Sequence, residues 1–126
     1  METIQEEPVV LGMMPRSIDD CLTSHRLCLE TAVYLLEDGR RSKPALVLQL
    51  WDCAEICSMT ADVSLRGSAL AGRSWENCAD VCEACARECA SFGEDPRLQA
   101  CAEACRRCAA SCRGMADLHR NHAAPA

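Results

Sequence analysis

Apolar and cysteine positions along this chain recur at steps of three and four, the period of an α-helix. The alternation of a strand is missing, and β-branched residues are few. Helix-breaking residues divide the pattern into four segments. Ser17 is a candidate N-cap for a first helix to about Glu37, which Asp38-Gly39 ends because glycine accepts the left-handed conformation beyond a C-terminus. Ser42, with Pro44 just inside, opens a second helix to about Leu65, stopped at Gly67. A third runs from Ser68 or Ala69 to Phe92, with Gly93 beyond it and Gly72 weakening its first turn. Asp95-Pro96 supplies the N-cap and first turn of a fourth, which fades after Leu118. Short loops between such helices predict an all-α fold, an antiparallel up-down-up-down four-helix bundle over 17–119. A flexible N-terminal segment (1–16) and a C-terminal tail (120–126) flank it.

The cysteines follow the same period. Cys78, Cys82, Cys85 and Cys89 are spaced 4, 3, 4, and Cys101, Cys105, Cys108 and Cys112 repeat that spacing 23 residues later. Steps of three and four place all of these thiols on one helix face, the core seam of a bundle. The second helix adds Cys53 and Cys57, continuing a stripe from Leu46 and Leu50. The first adds Cys21, His25 and Cys28, spaced 4 and 3, so His25 takes a slot on that stripe. Beyond Cys112 the fourth stripe extends to Met115 and His119. Antiparallel alignment puts Cys28 beside Cys53, and Cys57 level with His25 and Cys78. Met115 and His119 then fall at an open end, near Cys21, Thr60 and Ser64, where Met13, Met14 and Met59 could join them. Leu35, Leu46, Leu50, Phe92 and Leu98 gather at the other. The interior is expected to be a tube of thiols, plugged by hydrocarbon at one end.

Composition makes the tube necessary. The chain has 126 residues and 12 cysteines, and half of its 49 % hydrophobic content is alanine plus cysteine. Between Asn77 and Cys112 the large apolar side chains are Val81, Phe92 and Leu98, against eight cysteines. A conventional aliphatic core is absent there. A net charge of -6 and a pI near 5.0 leave no basic face for nucleic acid. No apolar run is long enough for a membrane span, and no signal peptide is visible. The expectation is a cytoplasmic protein with reduced thiols, where cysteines more often mean metal or redox chemistry than a disulfide framework.

Geometry narrows that chemistry. Residues four apart on a helix have Cβ atoms about 5–6 Å apart, too far for an unstrained disulfide, which needs about 3.5–4.5 Å. An ion between two sulfurs suits the gap. Soft thiolates favour Cu(I), Zn(II) or iron–sulfur clusters. The two CxxC pairs, Cys82/Cys85 and Cys105/Cys108, lie mid-helix rather than in the loops that zinc and iron–sulfur motifs use. A thiolate that exchanges its proton for Cu(I) leaves the charge unchanged, whereas a four-thiolate Zn(II) site carries -2. No Lys or Arg lies on the cysteine stripe to offset that charge. The pattern therefore points to multiple Cu(I) ions held by CxxxC pairs, with His and Met as weaker ligands at the mouth. Buried cysteine is often only a small apolar residue; twelve in helical register make that reading poor. Trp51 and Trp75 read as packing residues, and Glu83, Arg87, Glu88 and Arg106 as a solvated outer face.

Four helices lined with CxxxC pairs, and the doubled Cx3Cx2Cx3C run, resemble the bacterial copper storage proteins over about residues 17–119. The resemblance implies a homotetramer of four-helix bundles, each filled with Cu(I). By position it implies core ligands at Cys21, Cys28, Cys53, Cys57, Cys78, Cys82, Cys85, Cys89, Cys101, Cys105, Cys108 and Cys112. His25, Met115 and His119 become entrance or auxiliary ligands. Arg40-Arg41 is mid-chain and cannot act as a twin-arginine export signal, so the resemblance is to cytosolic members, although this chain has fewer cysteines on helices one and two. Cu(I) sequestration without catalysis is the leading expectation, with a copper chaperone or efflux system as the partner class. A zinc or iron–sulfur protein, a thiol/disulfide redox protein and a protein-binding scaffold are the alternatives.

Overall fold

The computed structural model of the protein describes residues 7–39 and 43–121. Four helices account for most of them: α1 (Glu7–Glu37), α2 (Pro44–Leu65), α3 (Ala71–Ala90) and α4 (Pro96–Asn121). α1 packs against α2 and α4, and α3 packs against the same two, so α1/α3 and α2/α4 are the diagonals of a four-sided bundle. The pairings run in opposite senses. Cys21 meets Cys112 while Cys28 meets Cys101, and Cys53 meets Cys82 while Thr60 meets Ser74. Neighbouring helices are therefore antiparallel, as the short connections require.

The turn chemistry is local and legible. α2 ends in a Schellman motif: Gly67 has φ 63°, its N–H donates to the Ser64 carbonyl, and the Ser68 N–H donates to the Val63 carbonyl. Gly93, with φ 75°, makes the turn after α3. Asp95 caps α4, its Oδ1 accepting the Arg97 N–H at 3.0 Å. Tyr34 donates to the other carboxylate oxygen of Asp95 at 2.8 Å, which ties the end of α1 to the start of α4.

Several boundaries differ from the sequence expectation. α1 begins at Glu7, not Ser17, so residues 7–16 are helical. Pro15 lies inside it and forfeits one backbone hydrogen bond. The helix continues through it because Met13, Met14 and Ile18 pack against the core and Ser17 is buried. α3 starts at Ala71 because Ser68 belongs to the preceding turn, its Oγ accepting the Leu70 N–H. It also stops at Ala90, short of Phe92. α4 runs past Leu118 to Asn121. Arg40, Arg41, Ser42 and His122 lie outside the described residues.

Each helix presents one seam at alternating steps of three and four. α1 buries Ser17, Cys21, Ser24, Cys28, Thr31 and Leu35, and α2 buries Leu46, Leu50, Cys53, Cys57, Thr60 and Ser64. α3 buries Ala71, Trp75, Cys78, Cys82, Cys85 and Cys89, and α4 buries Leu98, Cys101, Cys105, Cys108, Cys112 and Met115. Beside these seams lie small residues, among them Gly72, Ala79 and Ala86 on α3 and Ala102, Ala109 and Ala116 on α4, which let the helices approach closely. Leu35, Leu46, Leu50 and Leu98 are almost fully buried at one end, with half-buried Phe92 against them. That end is a hydrocarbon plug, as expected. Trp75 is a packing residue, but Trp51 is half exposed on α2 and is not.

Candidate metal centre

All twelve cysteines are free, and each is fully buried. Their sulfurs make contacts at 3.5–3.8 Å between α1 and α4, between α2 and α3, and between α3 and α4. Such distances are far beyond a disulfide bond of about 2.05 Å. Contacts span the α2/α4 diagonal too, with Cys57 3.9 Å from Cys108 and Cys53 4.0 Å from Cys105. The lumen is therefore one sulfur column.

Three sets of four thiols bring their sulfurs within 4.8 Å of one another: Cys21/Cys78/Cys108/Cys112, Cys57/Cys78/Cys82/Cys108 and Cys28/Cys53/Cys85/Cys105. Each set draws on three or four helices, which is why no linear motif displays it. Cys78 and Cys108 belong to two sets and fuse them. Cys101 and Cys89 lie outside the sets, Cys101 being 3.8 Å from Cys28 and Cys89 buried at the next seam position of α3 after Cys85.

The protons are unevenly held. Donation from Cys101 and Cys85 lowers the Cys89 thiol to about 5. Cys57 is held down by Cys108 and by its other thiol neighbours, Cys105 by Cys101 and Cys28, and Cys112 by Cys108 and Cys21. Their donors move the other way: Cys28 is pushed up by Cys101 and Cys105, and Cys108 by Cys112 and Cys21. Cys112, Cys57 and Cys105 are thus the thiols that hydrogen bonds from neighbouring thiols lower, one in each of the four-thiol sets. The thiolate is the form that binds metal. Among the described residues no Lys or Arg is buried, so no cation stands ready to offset a cluster of thiolates. A monovalent soft cation in exchange for each proton keeps the column neutral.

The other expected ligands are arranged differently. Met115 is buried at the stripe position after Cys112. His25 is not between Cys21 and Cys28 in the lumen; Ser24 is, with its hydroxyl among three sulfurs. His25 lies at the α1–α2 boundary, half-buried, with Nδ1 2.8 Å from the Ala54 carbonyl. A carbonyl can only accept, so Nδ1 carries a proton, and Nε2 is the ring nitrogen that this bond does not engage. Both 21–25–28 and 21–24–28 are helical spacings, and the rotation of α1 against its neighbours selects the second. Extending the stripe from Leu35 back through Thr31 to Ser17 would have revealed Ser24 and Ser17. Ser17 Oγ lies 3.8 Å from Cys112 Sγ. Met59 is exposed on α2, whereas Met13 and Met14 are half-buried on α1 against the core.

His119 lies at the surface of the end opposite the plug. Its ring meets Trp75 edge-on, at a centroid distance of 6.0 Å. Trp75 in turn donates from Nε1 to Ser64 Oγ at 3.0 Å. The imidazole sits directly on Gly72, where a Cβ would fall 2.5 Å from Nε2. Gly72, a weak point for a helix by sequence, is the seat of this ring. Gly72→Ala should therefore leave stability almost unchanged. The ring can swing into solvent, and alanine is better than glycine in a helix by about 1 kcal/mol. The displacement should instead appear as changed His119 ring resonances and altered Trp75 fluorescence. Unmoved resonances would show that the ring does not rest there.

A four-helix bundle with a lumen of free, clustered thiols and, among the described residues, no buried Lys or Arg defines a class of protein built to hold soft metal ions. Residues 12–117 match the profile of the Csp family, described as copper storage protein, and the chain belongs to that family. Among solved structures, the Nmul_A1745 protein from Nitrosospira multiformis is 33 % identical over 85 % of this chain and 97 % of its own, with a TM-score of 0.77. Cu(I)-bound copper storage protein BsCsp3 is 30 % identical over 82 % of this chain and 98 % of its own, with a TM-score of 0.78. A single-residue mutant of Streptomyces lividans Ccsp is 30 % identical over 84 % and 93 %, with a TM-score of 0.79. A search of curated proteins by sequence gives no match.

Proposed function

We propose that this chain stores Cu(I), holding several ions in its lumen through thiolates of the twelve cysteines. The observation that carries the reading is the sulfur column: buried sulfurs 3.5–4.0 Å apart, joined into four-thiol sets, with no buried Lys or Arg among the described residues. Membership of the copper storage family supports it, as does the likeness to BsCsp3, a copper storage protein solved with Cu(I) bound. Each incoming ion displaces a thiol proton, and the neighbouring sulfurs of the set complete its coordination. Zinc and iron–sulfur clusters fit less well, because their tetrathiolate sites would bury net negative charge without compensation. The protein acts as a store rather than a catalyst.

Met115 and His119 serve as exchangeable ligands at the end away from the plug, and His25 as an auxiliary ligand through Nε2 from its boundary position. The reading places the protein in the cytoplasm, supplied or emptied by a copper chaperone or efflux system. A homotetramer is supported by exposed apolar side chains on α1 (Leu22, Val33, Leu36) and α2 (Leu48, Trp51, Met59). Anaerobic titration of the reduced protein with Cu(I), in competition with a chromogenic chelator, tests the central claim. Several equivalents bound per chain are expected, and one equivalent or none would overturn it.

A further inference from the structure

Among the described residues, Ser24 is the one hydroxyl set into the middle of the sulfur column. It is fully buried, at the stripe position where a thiol would complete the seam between Cys21 and Cys28. Cys57 donates to its oxygen at 3.4 Å, and Cys105 and Cys28 lie at 3.6 and 3.9 Å. Its contacts therefore reach sulfurs on α1, α2 and α4. Ser17, Thr31 and Thr60, the other buried hydroxyls flanking the cysteines, sit where the column ends. Ser24 interrupts it.

The interruption has a consequence for connectivity. Cys21 touches Cys108 and Cys112 at 3.6 Å, and it shares a set with Cys78. Cys28 touches Cys105 at 3.6 Å and Cys101 at 3.8 Å, and it shares a set with Cys53 and Cys85. The two α1 cysteines thus have no sulfur neighbour in common. The halves meet on the opposite wall, where Cys53 lies 3.6 Å from Cys82, itself 3.5 Å from Cys57. A hydroxyl cannot bridge them. It is a hard, neutral oxygen that keeps its proton at ordinary pH, and Cu(I) selects thiolate over it.

We propose that Ser24 divides the copper cargo into two clusters that fill separately, and limits capacity at the centre of the column. One cluster is built on the fused sets Cys21/Cys78/Cys108/Cys112 and Cys57/Cys78/Cys82/Cys108, the other on Cys28, Cys53, Cys85 and Cys105. Ser24 is a positioning residue here, acting through the sulfurs it keeps apart. The proposal rests on the Cu(I) storage reading.

Native mass spectrometry of the reduced full chain, titrated anaerobically with Cu(I), tests it. The wild-type protein should accumulate one intermediate stoichiometry before full loading. S24C should abolish that intermediate and bind at least one more Cu(I) per chain. S24A adds no sulfur and should keep both the wild-type capacity and the intermediate. A smooth distribution without an intermediate in the wild type would overturn the division. So would an S24C protein, folded by circular dichroism, with wild-type capacity, or an S24A protein that behaves like S24C. If the wild type takes up no copper, the storage reading itself fails, an outcome distinct from smooth filling.

Discussion

Copper loading should raise the melting temperature of the reduced protein by on the order of 10–30 °C. The folded state presents assembled four-thiol sets, and the unfolded chain does not. A ligand present at a thousand times its dissociation constant stabilises the folded state by about 4 kcal/mol per site. Each kcal/mol moves the midpoint of a domain this size by roughly 2–8 °C. Several sites filled together exceed the one-site figure. The gain should also be uneven along the bundle. Leu35, Leu46, Leu50 and Leu98 hold their end by burial alone, without metal. The thiols at the other end hold theirs weakly, because sulfur contacts of 3.5–4.0 Å between neutral groups replace hydrocarbon. Amide exchange should therefore slow most around Cys21, Cys57, Cys78 and Cys112 on copper binding, and least around Leu35 and Leu98. Equal melting temperatures with and without copper would contradict this account.

Replacing Cys78 and Cys108 together by alanine should remove about half of the copper capacity. These two residues serve both the Cys21/Cys78/Cys108/Cys112 and the Cys57/Cys78/Cys82/Cys108 sets, so each set would keep only two sulfurs. Replacing Cys89 and Cys101 removes the same number of thiols but breaks none of the three sets, and the loss should be clearly smaller. The metal-free stability of both doubles should fall by a similar amount, on the order of 1 kcal/mol per residue. Copper content by elemental analysis after desalting, set against a thermal melt, separates the two effects. Equal losses from both pairs would mean that capacity follows thiol number alone and that the sets have no separate existence.

Much of this was written locally. Steps of three and four between cysteines place thiols on one face of a helix whatever surrounds it, because the helical period is a property of the backbone. Gly67, Gly93 and Asp95-Pro96 mark turns through their own conformational preferences, and they do so in the structure. The replacement of aliphatic core by sulfur was equally plain, since Val81, Phe92 and Leu98 are the large apolar side chains between Asn77 and Cys112, against eight cysteines. The axial map also followed from chain order: antiparallel helices with short loops oblige Cys28 to meet Cys53.

What the tertiary structure decided was rotation and partnership. The sequence admits either Ser24 or His25 between Cys21 and Cys28, and a small rotation of α1 against α2 and α4 puts the hydroxyl inside and hands His25 to the Ala54 carbonyl. Pro15 is a stop signal by its own chemistry, yet α1 runs through it because burial of Met13, Met14 and Ser17 outweighs one lost hydrogen bond. Gly72 looked like a flaw in α3 until α4 laid His119 across it. Which four sulfurs make a set depends on three or four helices at once. Spacing along one helix fixes the face a thiol occupies, but only packing between helices fixes the sulfur it meets.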